Sequence, residues 1–132
     1  MTTTSVAVGT ELPELVLEAS VRNIVATAIA SRDYQDVHHD VATAQVKGSK
    51  TIFTNILTSN GYVLRYVTDF FGPLSVVKTS KLRLGVPNYA GEVMTMRGTV
   101  KAVEGNLVTV DVKGSNSLGD HVIATVTLEV PK

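Results

Sequence analysis

The chain has 132 residues, no cysteine, and 12 basic against 12 acidic side chains, for a formal net charge of zero. That length suits one domain with one core, able to bury about two-thirds of its unfolded surface without staples. The charge balance leaves no basic field for a nucleic acid, and the missing thiols exclude disulfides, thiolate metal sites and a cysteine nucleophile, so any catalysis falls to histidine, carboxylate and hydroxyl groups.

No stretch approaches the ~18 apolar residues of a membrane span and the start carries no basic region of a leader, so a cytoplasmic protein is expected. Residues 1–10 are small and polar and read as a frayed arm, with a single domain over residues 11–132. After Pro13, residues 14–19 alternate as a strand does. Over residues 22–31, Ile24, Val25, Ala28 and Ile29 recur at helical spacing. A polar loop follows, and then a short helix for which Asp40 suits the N-cap and Gly48 the C′ position.

Residues 53–71 form the longest candidate helix, with Ile56, Leu57, Leu64, Val67 and Phe71 on overlapping stripes and Gly72 and Pro73 ending it. Such an apolar helix should be deeply buried. Gly61 costs about 1 kcal/mol relative to Ala inside a helix, which predicts a neighbouring backbone in close approach. Four strand-like runs complete the chain, at 75–84, 93–103, 107–112 and 121–130, with a hairpin turn at Glu104, Gly105 and Asn106. The order predicts an α+β fold, a curved antiparallel sheet around one long helix with the helices on one face.

The polar loop carries the chemistry. Asp33 and His38 lie five residues apart, beside Asp36, His39 and Asp40. Two titratable groups of different type can divide the work of moving a proton when burial and neighbours tune them. The same composition also fits a solvated loop with helix caps. A metal site is a further alternative, disfavoured because adjacent histidines on a loop point apart and no metal-ligand motif is present.

The run Ala-Ser-Arg-Asp-Tyr-Gln-Asp-Val-His-His-Asp over residues 30–40 resembles the hydratase 2 motif of MaoC-like (R)-specific enoyl-CoA hydratases: an Asp, four residues, a His, one residue and a second Asp, falling on Asp33, His38 and Asp40. Residues 55–73 resemble the family's central helix and its closing Thr-Asp-aromatic-x-Gly-Pro. Pro87 to Val93 and the run Gly119 to Val126 resemble its later loop and final strand. The family's Asn-Pro between Asp and His is replaced by Gln35 and Asp36, and its His-Gly at the helix start by Asn55 and Ile56. Within the family the likeness is nearest to the small catalytic subunits of actinobacterial steroid side-chain hydratases.

The resemblance implies a hot-dog fold and hydration of a trans-2-enoyl-CoA, with a steroid side chain as the acyl group. Asp33 and His38 would be the catalytic pair. The Ile56 N–H would bind the thioester oxygen, with Asn55 either bonding the thioester or capping the helix. CoA would come with the substrate, no further cofactor or metal being expected. The resemblance also implies a second MaoC-like subunit lacking the catalytic motif and an association with a thiolase-like aldolase. A hot-dog acyl-CoA thioesterase and a non-catalytic acyl-CoA-binding subunit are the alternatives; the Asp-x4-His-x-Asp spacing favours hydration, and retention of both Asp33 and His38 favours an active chain. Asp36 and His39 are expected to be solvated and Arg32 to pair with a nearby carboxylate.

Overall fold

The computed structural model describes residues 6–131. In chain order the elements are strand β1 (Glu11–Glu18), helix α1 (Val21–Ala30), a 3-10 turn (Asp36–His38), helices α2 (Val41–Val46) and α3 (Ile56–Phe71), and strands β2 (Val76–Leu84), β3 (Val93–Glu104), β4 (Leu107–Asn116) and β5 (Gly119–Glu129). The strands form one five-stranded antiparallel sheet in the order β1-β3-β4-β5-β2. One long helix against one antiparallel sheet is the expected α+β layering.

Strand alternation decides which sheet face is apolar. Met94, Met96 and Val100 of β3, Val108, Val110 and Val112 of β4, and Val122, Ala124, Val126 and Leu128 of β5 are all buried. They meet Val63, Tyr66, Val67 and Phe71 along one stripe of α3 in a single core. Each large side chain so buried contributes roughly 1.5–3 kcal/mol, so the helix is fixed on the sheet by packing more than by its own propensity. A smaller cluster, Ala19, Ile24, Ala44 and Ile52, seats α1 and α2 beside it.

The close approach expected at Gly61 lies elsewhere. A Cβ on Gly61 would meet nothing within 4 Å, whereas one on Gly98 would stand 2.9 Å from the Tyr66 ring and one on Gly114 2.7 Å from Met96 Sδ. The sheet supplies the missing side chains and the helix does not. Nor is α3 buried all round: Ile56 and Leu57 are 50% and 53% exposed at its N-terminal turn.

Several boundaries differ from expectation, and α3 starts at Ile56 where residue 53 was expected, because Phe53 forms an isolated β-bridge with Tyr89 and Asn55 caps the helix. Val6 is buried in the main core, the Gly9 N–H donates to Val100 O, and Val100 N–H donates to Thr10 O, so residues 6–10 are docked where a frayed arm was expected; residues 1–5 lie outside the described residues. β1 begins at Glu11 and takes Pro13 in its stride through a register shift between Leu12 and Leu15, a bulge that accommodates the missing N–H. β4 runs on to Asn116, because Gly114 leaves room for Met94, Met96 and Val122, and the expected long turn shrinks to Ser117 and Leu118.

No helix among the described residues is long and apolar enough to cross a membrane.

Candidate active site

Helix α1 ends in a tight reversal that aims Asp33. Arg32 N–H donates to Ile29 O and Asp33 N–H to Ala28 O, the paired bonds of a Schellman turn. Arg32 occupies the left-handed position of that turn at φ 57, a conformation that costs a non-glycine residue about 1–2 kcal/mol. Arg32 is exposed and makes no ion pair among the described residues, contrary to the expected carboxylate partner.

The 3-10 turn then carries His38 inward, where its side chain is only 7% exposed against 22% for Asp33. His38 Nδ1 lies 2.8 Å from Phe53 O, and the ring packs edge-on against Phe53 at 5.0 Å. A carbonyl can only accept, so Nδ1 carries the hydrogen and, in the neutral imidazole, Nε2 presents a lone pair. That lone pair faces Asp33 Oδ2 at 3.4 Å. Two acceptors side by side form a receptor for a donor with two hydrogens: a water can donate one to each and keep its own lone pairs turned outward.

Asn55 links this pair to α3. Its Oδ1 accepts from the Thr58 N–H and hydroxyl, capping the helix, while Nδ2 donates to Asp33 Oδ2 at 3.1 Å and to Ser31 Oγ at 2.9 Å. Every hydrogen-bonding atom of the amide is used within the protein, which matches the capping alternative for Asn55. Ile56 follows as the first helical residue, and its N–H has no intrahelical acceptor by position. It opens at the positive end of the helix dipole.

These groups share one cleft of about 490 Å³, walled on the far side by Leu84, Val86, Pro87 and His121. That wall is anchored. Thr54 N–H donates to Asn88 O at 3.1 Å, and the buried Asn88 side chain bonds to Thr54 and Asn116. Gly85 is required, because a Cβ there would stand 2.2 Å from Asp120 O.

The flanking polar residues stay outside the cleft. Asp40 caps α2 by accepting from Thr43 N–H at 3.1 Å, and this bond holds its carboxyl below the usual range. Gly48 takes the C′ position at φ 97. Asp36 is exposed and 3.7 Å from Lys47, and exposed His39 faces Tyr34 O at 3.3 Å. Among the described residues no group of three or more His, Asp or Glu converges as metal ligands would.

Sequence reasoning passed over His121, which is 2% exposed and contributes to the cleft wall. Ser115 pairs with Asp120 and Gly114 with Val122, so His121 is the extra residue of a β-bulge. A bulge turns two successive side chains to one face, and strict alternation hides that. The register irregularity is legible only once the strands are paired.

No family model matches the chain. It is 55% identical, over 123 residues covering 93% of this chain and 95% of the relative, to the 3-oxo-4,17-pregnadiene-20-carboxyl-CoA hydratase beta subunit of Mycobacterium tuberculosis. Among solved structures it superposes on a chain of the ChsH1-ChsH2 complex from Mycobacterium tuberculosis with TM-score 0.94 and 54% identity, covering 95% of this chain and 98% of that one. The R-hydratase PhaJ1 from Pseudomonas aeruginosa shares the fold with TM-score 0.91 at 20% identity, over 99% of this chain and 86% of the other.

Proposed function

Since this chain belongs to the MaoC-like (R)-hydratase family of hot-dog proteins, we propose that it is the catalytic subunit of an enoyl-CoA hydratase acting on a steroid side-chain enoyl-CoA. The observation that carries the reading is the facing pair of acceptors, Asp33 Oδ2 and His38 Nε2 at 3.4 Å, in the same cleft as the N-terminus of α3. A water held by both hydrogens points an oxygen lone pair into the cleft, toward C3 of a bound trans-2-enoyl thioester. As the C3–O bond forms, the π electrons move to the thioester oxygen, and the Ile56 N–H with the helix dipole stabilises the charge. The pair takes a proton from the water and returns a proton to C2, so the net change is one water added across the double bond.

The substrate class rests on the relative, a hydratase subunit for a pregnadiene carboxyl-CoA. A fused-ring acyl group does not go under α3, because Val63, Val67, Met94 and Met96 fill that space with no exposure. The open side of the cleft, where Ile56 stands half-exposed, is the direction left for it. Covering that side is the role we assign to a second MaoC-like subunit lacking the Asp-x4-His motif, in keeping with the two-component complex to which the similar solved chain belongs. Recruitment of a thiolase-like aldolase and a cytoplasmic setting, where CoA thioesters are made, complete the reading.

The deciding experiment assays short-chain, medium-chain and steroid enoyl-CoAs by loss of enoyl absorbance, with and without co-produced partner. Steroid hydration that depends on the partner is expected. Release of free CoA thiol in place of hydration would make the chain a thioesterase, and efficient crotonyl-CoA hydration by a homodimer that gains nothing from a partner would remove the steroid reading.

A further inference from the structure

Outside the Asp33 and His38 pair, the described residues hold one other fully buried histidine, and both of its ring nitrogens are engaged. His121 Nδ1 lies 2.7 Å from Val86 O, and Nε2 lies 2.7 Å from Ser59 Oγ. The carbonyl again fixes the tautomer: Nδ1–H donates to Val86, and Nε2 accepts the Ser59 hydroxyl hydrogen. The backbone repeats the tie, with Gly85 N–H donating to His121 O at 2.7 Å and Val86 N–H to Asp120 O at 3.0 Å.

Ser59 stands one helical turn below Asn55, on the face of α3 that packs against the sheet. An unbroken line of contacts therefore runs from Val86 on the cleft wall through His121 and Ser59 to the first turns of α3, and from Asn55 on to Asp33. Ser59 has no exposure and is absent from the cleft lining, so this serine and histidine pair is no nucleophile for an incoming thioester. Its geometry is that of a strut. The bulge in β5 is the device that turns His121 inward to serve as one.

We propose that His121, braced by Ser59, is a positioning residue that sets the spacing between the Leu84 to Pro87 wall and the N-terminus of α3, and so the fit of the CoA thioester between them. This rests on the hydratase reading of the site. The strut touches neither Asp33 nor His38, so its loss alters how the substrate is held more than how the proton moves. Substrate affinity is the quantity it controls.

The test compares Ser59→Ala, His121→Leu and His121→Gln in the assembly that hydrates an enoyl-CoA. A glutamine amide can donate to Val86 and accept from Ser59, so it can replace both bonds, whereas leucine replaces neither. Ser59→Ala and His121→Leu should raise KM about tenfold, the size of one or two lost hydrogen bonds, with kcat changed by less than about threefold. His121→Gln should return KM to within about threefold of wild type. Amide exchange at Gly85 and Val86 should quicken in His121→Leu and recover in His121→Gln.

Unchanged KM in both Ser59→Ala and His121→Leu, or a kcat that carries the whole loss, overturns the strut. Binding of a saturated acyl-CoA separates this from the hydratase reading. If no enoyl-CoA is hydrated but His121→Leu still weakens acyl-CoA binding about tenfold, the hydratase reading falls and the strut stands.

Discussion

Asn55 donates to Asp33 at 3.1 Å with the same amide whose oxygen caps α3, so one side chain fixes both the Asp33 carboxylate and the first turn of that helix. Asn55→Ala should therefore cost about 1 kcal/mol of stability through the lost cap and at least about tenfold in kcat through a wandering carboxylate. Asn55→Asp keeps a capping oxygen but sets a second carboxylate beside Asp33. Repulsion between like charges raises carboxyl pKa values, so the acid limb of its rate profile should move to higher pH. A pH profile superimposable on wild type would sever Asn55 from Asp33.

Asp33→Asn and His38→Ala should each lower turnover at least about 100-fold while circular dichroism remains native. His39→Ala, which alters an exposed ring outside the cleft, should stay within about threefold. A larger loss in folded His39→Ala than in His38→Ala would move the active pair one residue along the loop.

Ile56 offers an unusually clean backbone test. It is the first residue of α3, where proline is favoured, and Asn55 before it is extended at φ −81 and ψ 160, as a residue preceding proline should be. Ile56→Pro deletes the N–H with little cost to the helix. Its kcat should fall by about 10²–10³, as for loss of an oxyanion donor, with the melting temperature nearly unchanged. Ile56→Val, which keeps the N–H, should retain most activity. Equal rates for the valine and proline variants would assign the thioester oxygen to another donor.

Burial pushes His121 below its ordinary value, against the smaller upward pull of its bond to Val86 O. The unfolded chain therefore takes up a proton near its ordinary pKa of about 6.5 that the folded chain refuses. Stability tied to this residue is complete above that pH and is lost as pH falls below it. Urea midpoints measured from pH 7.5 to 5 should decline more in wild type than in His121→Gln, and parallel declines would show that other groups carry the acid sensitivity.

The sequence and the fold agree best where local chemistry decides. Asp40 and Gly48 act as caps because a side-chain acceptor and a missing Cβ suffice, whatever lies beyond. The facing of Asp33 and His38 was legible as a spacing, yet its geometry depends on Phe53 O, a contact 15 residues away. Gly61 misled because a helix glycine says nothing of which partner comes close, and the glycines that admit α3 sit on strands paired from distant parts of the chain. His121 was hidden for the same reason: a bulge is a property of two strands, and one strand read alone shows only alternation.

The strand order also governs when the molecule can become itself. β2 leaves α3 at Val76 but pairs only with β5, from Val76 with Glu129 to Leu84 with Val122. Until β5 is in place, β2 has no neighbour, and the apolar stripe of α3 faces a sheet of three strands. Closing that interval requires loops spanning much of the chain, which slows folding toward the millisecond-to-second range of topologies dominated by distant pairings. During synthesis the hydrophobic helix is complete long before the strand that shuts it in, so the nascent chain passes through a stage in which that apolar surface is uncovered and prone to aggregate unless a chaperone shields it.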